Sequence, residues 1–337
     1  MGGLKLAEEG VCVVSSFPSP PNRLGANVLG PLAHNQINLT FLTYVARSPE
    51  PEGIAAFCTA GATGDAGYTL AKTHGSANEV QFHKDTCILT LFPHDKRLEI
   101  IGNFIYSLSR AKILLYGLAS SSAAISAVLP GKAKHRAVQI LFQRFAFSGY
   151  ATPRDFYAAQ ILPEQALREV VAVYQEKVIK VYCIVDQPDL ELWELALPSA
   201  TALEDLALSL IALGDRDSKL PFLIALPGPE GRLLLTFTLV KHGAPEVENI
   251  LHSHLPGVTA RRQAPVAAIF LHGPHFGDRY GIADTLVKTL EKAQVQLLAL
   301  SCTVSSISAI IRQGDLARAV QVLGETFEAQ YEYISKP

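Results

Sequence analysis

The stretch Arg136-Ala-Val-Gln-Ile-Leu141 recurs almost unchanged as Arg318-Ala-Val-Gln-Val-Leu323, and this repetition decides the fold. The match extends in both directions at one constant offset, so that 87–145 aligns on 269–327 without a gap. Self-similarity at a fixed spacing indicates duplicated structural units. The sequence therefore predicts a chain of two homologous halves.

Each aligned segment has the periodicity of a small α+β unit. Val266–Leu271 is a short apolar run typical of a strand, and Ile282 and Leu290 lie on one apolar face of a helix. Two strands, a second helix from Leu316 and a return strand at Tyr331–Ile334 complete the unit. This order is the ferredoxin-like arrangement, an antiparallel sheet of four strands with two helices on one face.

A more degenerate copy of the same order precedes each of these units. Its predicted strands and helices are Val11–Val14, Leu24–His34, Asn38–Val45, Ile54–Cys58, Val178–Val185, Leu192–Leu213, Phe222–Leu226, Leu233–Val240 and Pro245–His254. The predicted fold class is α+β, with four ferredoxin-like βαββαβ modules arranged as two homologous tandem pairs. The expected bounds of the modules are 1–80, 81–150, 168–262 and 263–337, with 151–167 as a linker.

The composition favours an ordered cytoplasmic protein. The 337 residues are 49% hydrophobic and 18% charged, which argues against disorder. A formal net charge of −2 without a lysine-rich run gives no electrostatic basis for binding nucleic acid. The five cysteines show no CxxC spacing, which favours buried free thiols in a reducing cytoplasm. The first ten residues contain no apolar signal region.

Two uncharged stretches, 113–131 and 295–311, are long enough to raise the question of a membrane span. Both contain serines near the centre, and the second alternates β-branched residues with others. We therefore expect each stretch to form two strands joined by a serine-rich turn, and we expect no membrane span.

The modules resemble the tandem ACT-domain regulatory region of aspartate kinases. The resemblance is clearest in the fourth module, where Gly273, His275, Gly281 and Ile282 lie in a glycine-rich loop before the helix. In the first module, Leu32–Leu39 is similar to the helix-to-strand turn of the family, which ends in an asparagine.

The chain also departs from the pattern of that family. Asp186 and Pro188 resemble its first loop in the third module, but Asp189 stands where a glycine is expected. In the second module the loop glycine is lost, since Glu99 aligns on Gly281. No segment of the sequence resembles an amino-acid kinase domain or a nucleotide-binding loop. The resemblance implies an ACT array without its enzyme.

The stretch Leu271–Asp284 (LHGPHFGDRYGIAD) contains the candidate functional loop. A metal site would use His272, His275 and Asp278, but the intervening glycines exclude the helix that would bring side chains three residues apart together. Catalysis would need a nucleophile or an acid–base pair, and nothing else in the sequence completes one. A purely structural turn, with Asp278 or Asp284 charging the first turn of the helix, is a further interpretation.

A loop that binds a free amino acid accounts for more of these residues. The unpaired amides near Gly281–Ala283 lie at the positive end of the helix dipole, where a carboxylate is stabilised. Asp278 could accept a charge-assisted hydrogen bond from the ammonium. The aligned loop of the second module, Pro93–Glu99, lacks the glycines. We therefore expect the glycines to serve a ligand and not the fold.

In the family that the modules resemble, effector amino acids bind between such a loop and the strand edge of a partner domain. The residues nominated by this resemblance are His275, Phe276, Gly277, Asp278, Arg279, Tyr280, Gly281, Ile282 and Ala283 in the fourth module, Asp186 and Pro188 in the third, and Asn38 in the first. Gln296 replaces the asparagine of the turn in the fourth module. Lysine and threonine are the ligands that the resemblance suggests.

The sequence thus predicts a non-enzymatic regulatory protein that senses a small free amino acid and uses no cofactor or metal. The alternatives are a structural dimerisation module that has lost its ligand, a regulatory subunit related to aspartate kinase, and an enzyme. Because unpaired sheet edges favour pairing, the two halves are expected to associate within one chain. A homodimer is a secondary expectation.

Overall fold

The computed structural model describes residues 1–18, 24–47, 52–74, 80–160, 179–199, 202–214, 218–240, 244–273, 279–303 and 306–329. In these ranges the chain is an α+β protein of helices and mostly antiparallel strands, as the sequence predicts. None of the helices described is both long enough and apolar enough to cross a membrane. All five cysteines are free thiols, and four of them are buried.

The first half of the chain contains a long amphipathic helix whose core positions follow the helical period. Leu98, Ile101, Ile105 and Leu108 are fully buried along one side of this helix, α3. The elements of this half are β1 (Gly3–Pro18), a π-helix (Gly25–Leu29), α1 (Gly30–His34), β2 (Phe41–Arg47), β3 (Glu52–Ala60), α2 (Gly61–His74), β4 (Val80–Phe92), α3 (Leu98–Arg110), β5 (Gly117–Ser120), β6 (Ile125–Pro130), α4 (Lys134–Arg144) and α5 (Pro153–Gln160).

The second half follows a closely related order. Its elements are β7 (Ile179–Val181), β8 (Cys183–Leu197), α6 (Leu203–Gly214), β9 (Phe222–Pro227), β10 (Leu233–Val240), α7 (Ala244–His254), β11 (Ala260–His272), α8 (Ile282–Lys292), β12 (Leu297–Thr303), β13 (Ser306–Arg312), α9 (Leu316–Thr326) and β14 (Phe327–Ala329). The segments that align in the sequence carry similar elements. α4 and α9 each have 11 residues, follow a 3₁₀ turn and end at an extended phenylalanine, Phe145 or Phe327.

Twelve strands form one closed sheet. Their order is β1, β3, β2, β12, β13, β11, β8, β10, β9, β5, β6, β4 and back to β1, and the pairs are antiparallel. β14 pairs with β7 outside this sheet.

The two halves of the chain meet along two seams of the closed sheet. Leu42–Val45 of β2 pair with Ala299–Cys302 of β12, and Leu118–Ser120 of β5 pair with Leu223–Ala225 of β9. The predicted association of the halves through their strand edges is therefore confirmed. Since every strand of the closed sheet has two neighbours, the described strands leave no free edge on which a second copy could extend it. The homodimer stays an expectation.

The long strands of the sheet each pair with different neighbours along different parts of their length. β1 pairs with β3 through Gly10–Pro18 and continues beside β4 through Gly3–Ala7, with a change of register between the two stretches. An irregularity of this kind bends a strand and increases its twist. β8 and β11 run together over most of their length on the opposite side, also with register shifts.

The closed sheet separates three hydrophobic cores. The interior is filled by buried residues that include Phe41, Phe222 and Phe270. One outer face is covered by α3, α4, α6 and α7, and the other by the π-helix, α1, α2, α8 and α9. Because both faces of most strands are buried, they contain nearly continuous apolar runs.

Some elements differ from those expected. Leu192–Leu197 continue β8, and α6 begins only at Leu203, because the side chains of this segment are buried alternately in the interior and under the helices, with the period of a strand. Asp186 and Pro188 also lie within β8 and not in a loop before a helix. The segment expected as linker contains α5. The expected return strand Tyr331–Ile334 lies outside the described residues.

The helix α2 was not expected, since its sequence is rich in glycine, which weakens helices. The structure explains one of these glycines. A Cβ at Gly64 would collide with the side chain of Val11 on β1, so the glycine lets the helix lie close against the sheet. Tertiary packing therefore outweighs the low helix propensity of this segment.

Helices α3 and α6 pack on each other through two glycines. A Cβ at Gly102 would lie 2.8 Å from Ile211 Cγ1 and 2.9 Å from the Ala207 carbonyl oxygen. At the end of α6, a Cβ at Gly214 would lie 2.8 Å from the Glu99 nitrogen. No side chain fits at either position without moving backbone, so these glycines determine how closely the two halves approach on this face.

We expect Gly102→Ala to lower the free energy of unfolding by about 1–3 kcal/mol, because overpacking outweighs the better helix propensity of alanine. Gly324→Ala is the matched control, because Gly324 lies in α9 and an added Cβ there meets no heavy atom within 4 Å. This control should gain about 0.4–1 kcal/mol. Urea unfolding followed by circular dichroism measures both changes. Equal stability of the two variants would show that Gly102 does not set the helix contact.

Candidate ligand-binding site

A cleft opens where the π-helix and α1 of the first half meet the start of α8 in the second. Its empty volume, including space open to solvent, is about 320 Å³. It is partly open to solvent, and the volume enclosed between its walls is about 20 Å³. The cleft is lined by Leu29, Leu32, Ala33, Ile37, Leu39, Arg279, Gly281, Ile282, Ala283, Asp284 and Cys302.

Glycines bring the π-helix and α1 close to α8. A Cβ at Gly25 would lie 3.3 Å from a carboxylate oxygen of Glu291, and one at Gly30 would lie 3.7 Å from both Asp284 Oδ1 and Lys288 Nζ. Burial raises the pKa of Glu291, and the hydrogen bond donated by the Gly25 backbone N–H opposes this shift. π-helical turns are rare and often occur at functional sites. Glu291 thus ties the start of this turn to α8.

The first turn of α8 presents backbone N–H groups to the cleft. Ile282 and Ala283 are the first residues of the helix and line the cleft, so their amides have no acceptor within the helix. The carbonyl oxygen of Gly281 accepts bonds from the backbone and hydroxyl of Thr285, the latter at 2.9 Å. This end of α8 is therefore held firmly, and its dipole favours an anion.

Gly281 is required by the backbone conformation itself. Its φ is 82°, in the left-handed region that favours glycine. In the aligned loop before α3 the positive φ values are at Asp95 and Lys96 instead, and α3 begins one residue before Glu99. The expectation that the fold does not require this glycine is therefore wrong, because the two loops have different backbone paths.

Asp284 is the buried carboxylate of the cleft. The residue is 8% exposed, and its Oδ2 accepts a hydrogen bond of 2.7 Å from Lys288 Nζ. Oδ1 is buried and has no hydrogen-bond partner among the residues that the structure describes. An unsatisfied buried acceptor costs about 1–3 kcal/mol, and more when it is charged. Asp284 Oδ1 is therefore available to accept a hydrogen bond from a donor group of a bound ligand.

Most of the remaining walls of the cleft are apolar, and Arg279 is the charged exception. Leu29, Leu32, Ile37 and Ile282 are each less than 5% exposed. Burial raises the pKa of the Cys302 thiol to about 12, so this side chain is neutral near pH 7. The cleft therefore combines one charged acceptor and an anion-binding helix end with hydrocarbon walls.

The corresponding place in the other half of the molecule is closed. Gly102 of α3 aligns with Asp284 of α8 at the offset of the internal repeat. Where α8 carries a carboxylate in the cleft, α3 carries a glycine against which α6 packs directly. The same helix position thus opens one interface and closes the other.

The structure brings only part of the predicted site together. Pro274 and four predicted contacts, His275, Phe276, Gly277 and Asp278, lie outside the described residues. Arg279, Gly281, Ile282 and Ala283 line the cleft, and Tyr280 lies within the same turn. Asn38 lies between two lining residues, Ile37 and Leu39.

Asp186 and Pro188 do not line the cleft, since β8 carries them elsewhere in the sheet. Asp186 is buried opposite Ile269 of β11, and Pro188 is exposed. Sequence reasoning assigned Asp284 only a role in charging the helix, and it missed the walls formed by Leu29, Leu32, Ala33 and Cys302. The contrast between Asp284 and Gly102 in the repeat was a signal that could have identified the carboxylate.

The described part of the chain contains no group of three or more His, Cys, Asp or Glu residues that could hold a metal ion. His272, one member of the suggested metal set, lies 3.3 Å from the Ser122 hydroxyl through its Nε2. Burial, followed by the positive charge of Lys96, lowers the pKa of His272.

The segment that carries Arg279–Asp284 matches a known family. Residues 261–325, from β11 to α9, match the ACT domain. No curated protein sequence matches the chain.

One solved structure shares the fold over the whole chain, and others resemble part of it more weakly. The aspartate kinase from Synechocystis has a TM-score of 0.80 at 13% identity, over 100% of this chain and 57% of that chain. The ligand-free regulatory subunit of aspartate kinase from Thermus thermophilus has a TM-score of 0.40 at 18% identity, over 44% of this chain and 99% of that chain. E. coli aspartokinase III in complex with lysine and aspartate has a TM-score of 0.33 at 14% identity, over 45% of this chain and 34% of that chain. The chain thus has the fold of part of the Synechocystis enzyme and spans little more than half its length.

The loop of the second module is held by a buried histidine. The His94 ring is fully buried, its Nδ1 accepts the Lys96 backbone N–H at 2.9 Å, and its Nε2 lies 3.1 Å from the Ser120 hydroxyl. Because Nδ1 is an acceptor, the neutral ring carries its proton on Nε2. Burial lowers the pKa of His94 to about 4, although nearby backbone hydrogen bonds and Asp95 act in the opposite direction.

Protonation of His94 is expected to destabilise the fold. An unfolded histidine has a pKa of about 6.5, so between this value and about 4 the unfolded state binds the proton and the native state does not. Stability is therefore complete above about pH 6.5 and falls on acidification, by about 2 kcal/mol from pH 7.5 to pH 5 for this residue. Urea unfolding at both pH values measures the loss, which should be smaller in His94→Gln. The exposed His252→Gln should retain it, and an equal loss in His94→Gln would contradict the assignment.

Proposed function

We propose that this chain is a regulatory protein of four ACT-like modules and that the cleft between α1 and α8 binds a free amino acid. The proposal rests on one observation, the buried Asp284 oxygen without a described partner beside the open N-terminus of α8. A zwitterionic amino acid supplies an anion for the helix end and a hydrogen-bond donor for Asp284. Its carboxylate accepts hydrogen bonds from the amides of Ile282 and Ala283, and its ammonium donates to Asp284 Oδ1.

The four modules are proposed to follow one another along the chain. The approximate bounds remain 1–80, 81–150, 168–262 and 263–337. The strands β1 and β4, which fall on either side of the first boundary or at it, pair with each other along most of β1, and β4 also pairs with β6. The matching elements of 87–145 and 269–327 support the duplication. The ACT match over 261–325 supports the assignment of the fourth module.

The proposed action is binding and not catalysis. Within the described cleft, the polar side chains are Arg279, Asp284 and Cys302, and the cysteine is held as a neutral thiol. This set can fix a zwitterion by charge, but it offers no paired acid and base of the kind that proton transfer uses. The fold shared with the Synechocystis aspartate kinase makes a role as part of such an enzyme the competing function.

A structural role is favoured for the second and third modules alone. Their helices α3 and α6 touch through Gly102 and Gly214, which leaves no space for a ligand between them. We infer that this pair holds the two halves together, while the first and fourth modules carry the ligand. One bound amino acid per chain is the expected stoichiometry.

We expect isothermal titration against the twenty amino acids to identify at least one that binds, and Asp284→Asn to weaken its binding by about tenfold to a hundredfold. A charge-assisted hydrogen bond contributes about 1.5–3 kcal/mol, which corresponds to this range. Asp315→Asn is the matched control, because Asp315 also precedes an ion-paired basic residue, Arg318, at the start of a helix. It does not line the cleft and should leave the affinity unchanged.

The titration also separates the two functions. Absence of any heat or thermal shift at millimolar amino acid would favour a purely structural protein. Equal affinity of Asp284→Asn and the parent chain would move the ligand away from α8. Asp278, outside the described residues, would then be the next ammonium partner to test. Gly281 is unsuitable for this purpose, because any side chain there strains the backbone as well.

A further inference from the structure

The cleft between α1 and α8 is too nearly closed to hold an amino acid. The volume enclosed between its walls is about 20 Å³, and a single water molecule needs about 10–15 Å³ of such space. Leu29, Leu32 and Ile282 are 1–4% exposed, so these walls already touch other atoms on nearly all sides. An amino acid that reaches Asp284 Oδ1 must therefore separate the walls.

The wall formed by α8 is anchored in the core of its own half. Leu286 and Leu290 of this helix are almost fully buried. The Thr289 hydroxyl lies 3.4 Å from the Thr326 hydroxyl of α9, and Thr285 bonds back to Gly281 at the start of the helix. Displacing α8 would disturb all of these contacts, so we expect the opposite wall to move.

The opposite wall contains a turn for which a second regular geometry exists. The π-helix spans Gly25–Leu29, and the Gly30 backbone N–H donates to the Gly25 carbonyl oxygen, five residues earlier. An α-helical turn would use the bond to the fourth residue earlier instead. A change of this register by one residue alters the path of the turn without unfolding it.

Two features hold this turn in its π-helical form against α8. The Gly25 backbone N–H donates a hydrogen bond to the Glu291 carboxylate. Gly30 has no Cβ, and a Cβ there would lie 2.8 Å from the Gly25 carbonyl oxygen, a distance that real Cβ atoms essentially never show. The closed form therefore depends on Glu291 at one end of the turn and on Gly30 at the other.

We propose that the π-helical turn Gly25–Leu29 is a gate that closes the empty cleft and moves away from α8 when an amino acid enters, with its hydrogen bonds changing from the π to the α register. This inference rests on the proposed binding function and adds the movement that binding requires. Because only the open form binds, the apparent affinity is reduced by the fraction of the chains that are open. Changes that loosen the gate therefore strengthen binding.

The first test measures opening without any amino acid. Cys302 lines the cleft and is 5% exposed, so its alkylation by iodoacetamide requires local opening. We expect Glu291→Ala to accelerate this alkylation by about tenfold to a hundredfold, since it removes a charge-assisted hydrogen bond. Mass spectrometry measures the rate at each cysteine, and the buried Cys12 and Cys58 should be unchanged.

Two variants control for the loss of the carboxylate. Glu291→Gln keeps an oxygen that can accept the Gly25 N–H, so its alkylation rate should lie closer to that of the parent chain. Glu325→Ala removes an exposed carboxylate of α9 that does not line the cleft, and its rate should equal that of the parent.

The second test acts on the turn itself. Gly30→Ala places a Cβ against the Gly25 carbonyl oxygen and should disfavour the π register, while its φ of −61° suits alanine. We expect alkylation of Cys302 to be faster by at least about fivefold, and deuterium exchange of the residue 30 amide to be faster as well. Gly324→Ala is the matched control, because a Cβ there meets no heavy atom within 4 Å.

Titration of the twenty amino acids on each variant separates the two proposals. If Glu291→Ala and Gly30→Ala open the cleft and bind an amino acid more tightly than the parent chain, the gate is confirmed. If both label Cys302 at the rate of their controls, the gate is wrong, whether or not an amino acid binds. If both open but bind more weakly than the parent, the turn does not control entry and the gate is overturned. If both open and no amino acid binds even then, the movement is confirmed and the binding function fails.

Discussion

The closure of the sheet is the constraint on which the rest of the structure depends. Two short seams, β2 with β12 and β5 with β9, join the halves of the chain and leave no strand of the twelve with an open side. Once the strands are closed, all helices must cover the outer faces, because the interior is already filled with side chains. Closure therefore forces helices from different halves to lie next to each other at both seams, and the cleft is a consequence of that proximity.

The two seams differ at one aligned helix position, and the residue there determines how closely the facing helix approaches. At the seam of β5 and β9, Gly102 allows α6 to approach until backbone and side chain touch. At the seam of β2 and β12, Asp284 occupies the aligned position, and the facing segment approaches through Gly25 and Gly30. The closed sheet thus has two seams between the halves of the chain, one where the helices pack directly and one left with an unsatisfied carboxylate oxygen.

The sequence predicted the elements whose signals are local. Helical periodicity in α3, α8 and α9 and the serine-rich turns of both uncharged stretches led to correct strands and helices. The segment Leu192–Leu213 is expected to contain a helix, but its first part is strand, because burial on two faces removes the alternation that identifies a strand. The glycine-rich α2 was missed, because its stability comes from contact with β1, which no local pattern encodes. Pairing between halves was predictable from open edges, but closure into one sheet depends on contacts between residues far apart in sequence.

The same limit applies to the prediction of the candidate site. Arg279–Ala283 could be found because glycines before a helix suggest an exposed N-terminus, whereas Leu29 and Leu32 belong to a segment about 250 residues away and become walls only when the sheet closes.

A ligand bound in the cleft would touch the first half through these walls and the second half through α8. Its binding free energy would therefore stabilise the seam of β2 and β12 in proportion to ligand concentration, since a ligand that binds only the folded state shifts the equilibrium by mass action. The unpaired oxygen of Asp284 destabilises the empty cleft, and pairing it with an ammonium removes that penalty at the junction of the two halves. Under the proposed binding function, occupancy of the cleft would be linked to the cohesion of the whole chain, which is the physical requirement for a regulatory signal.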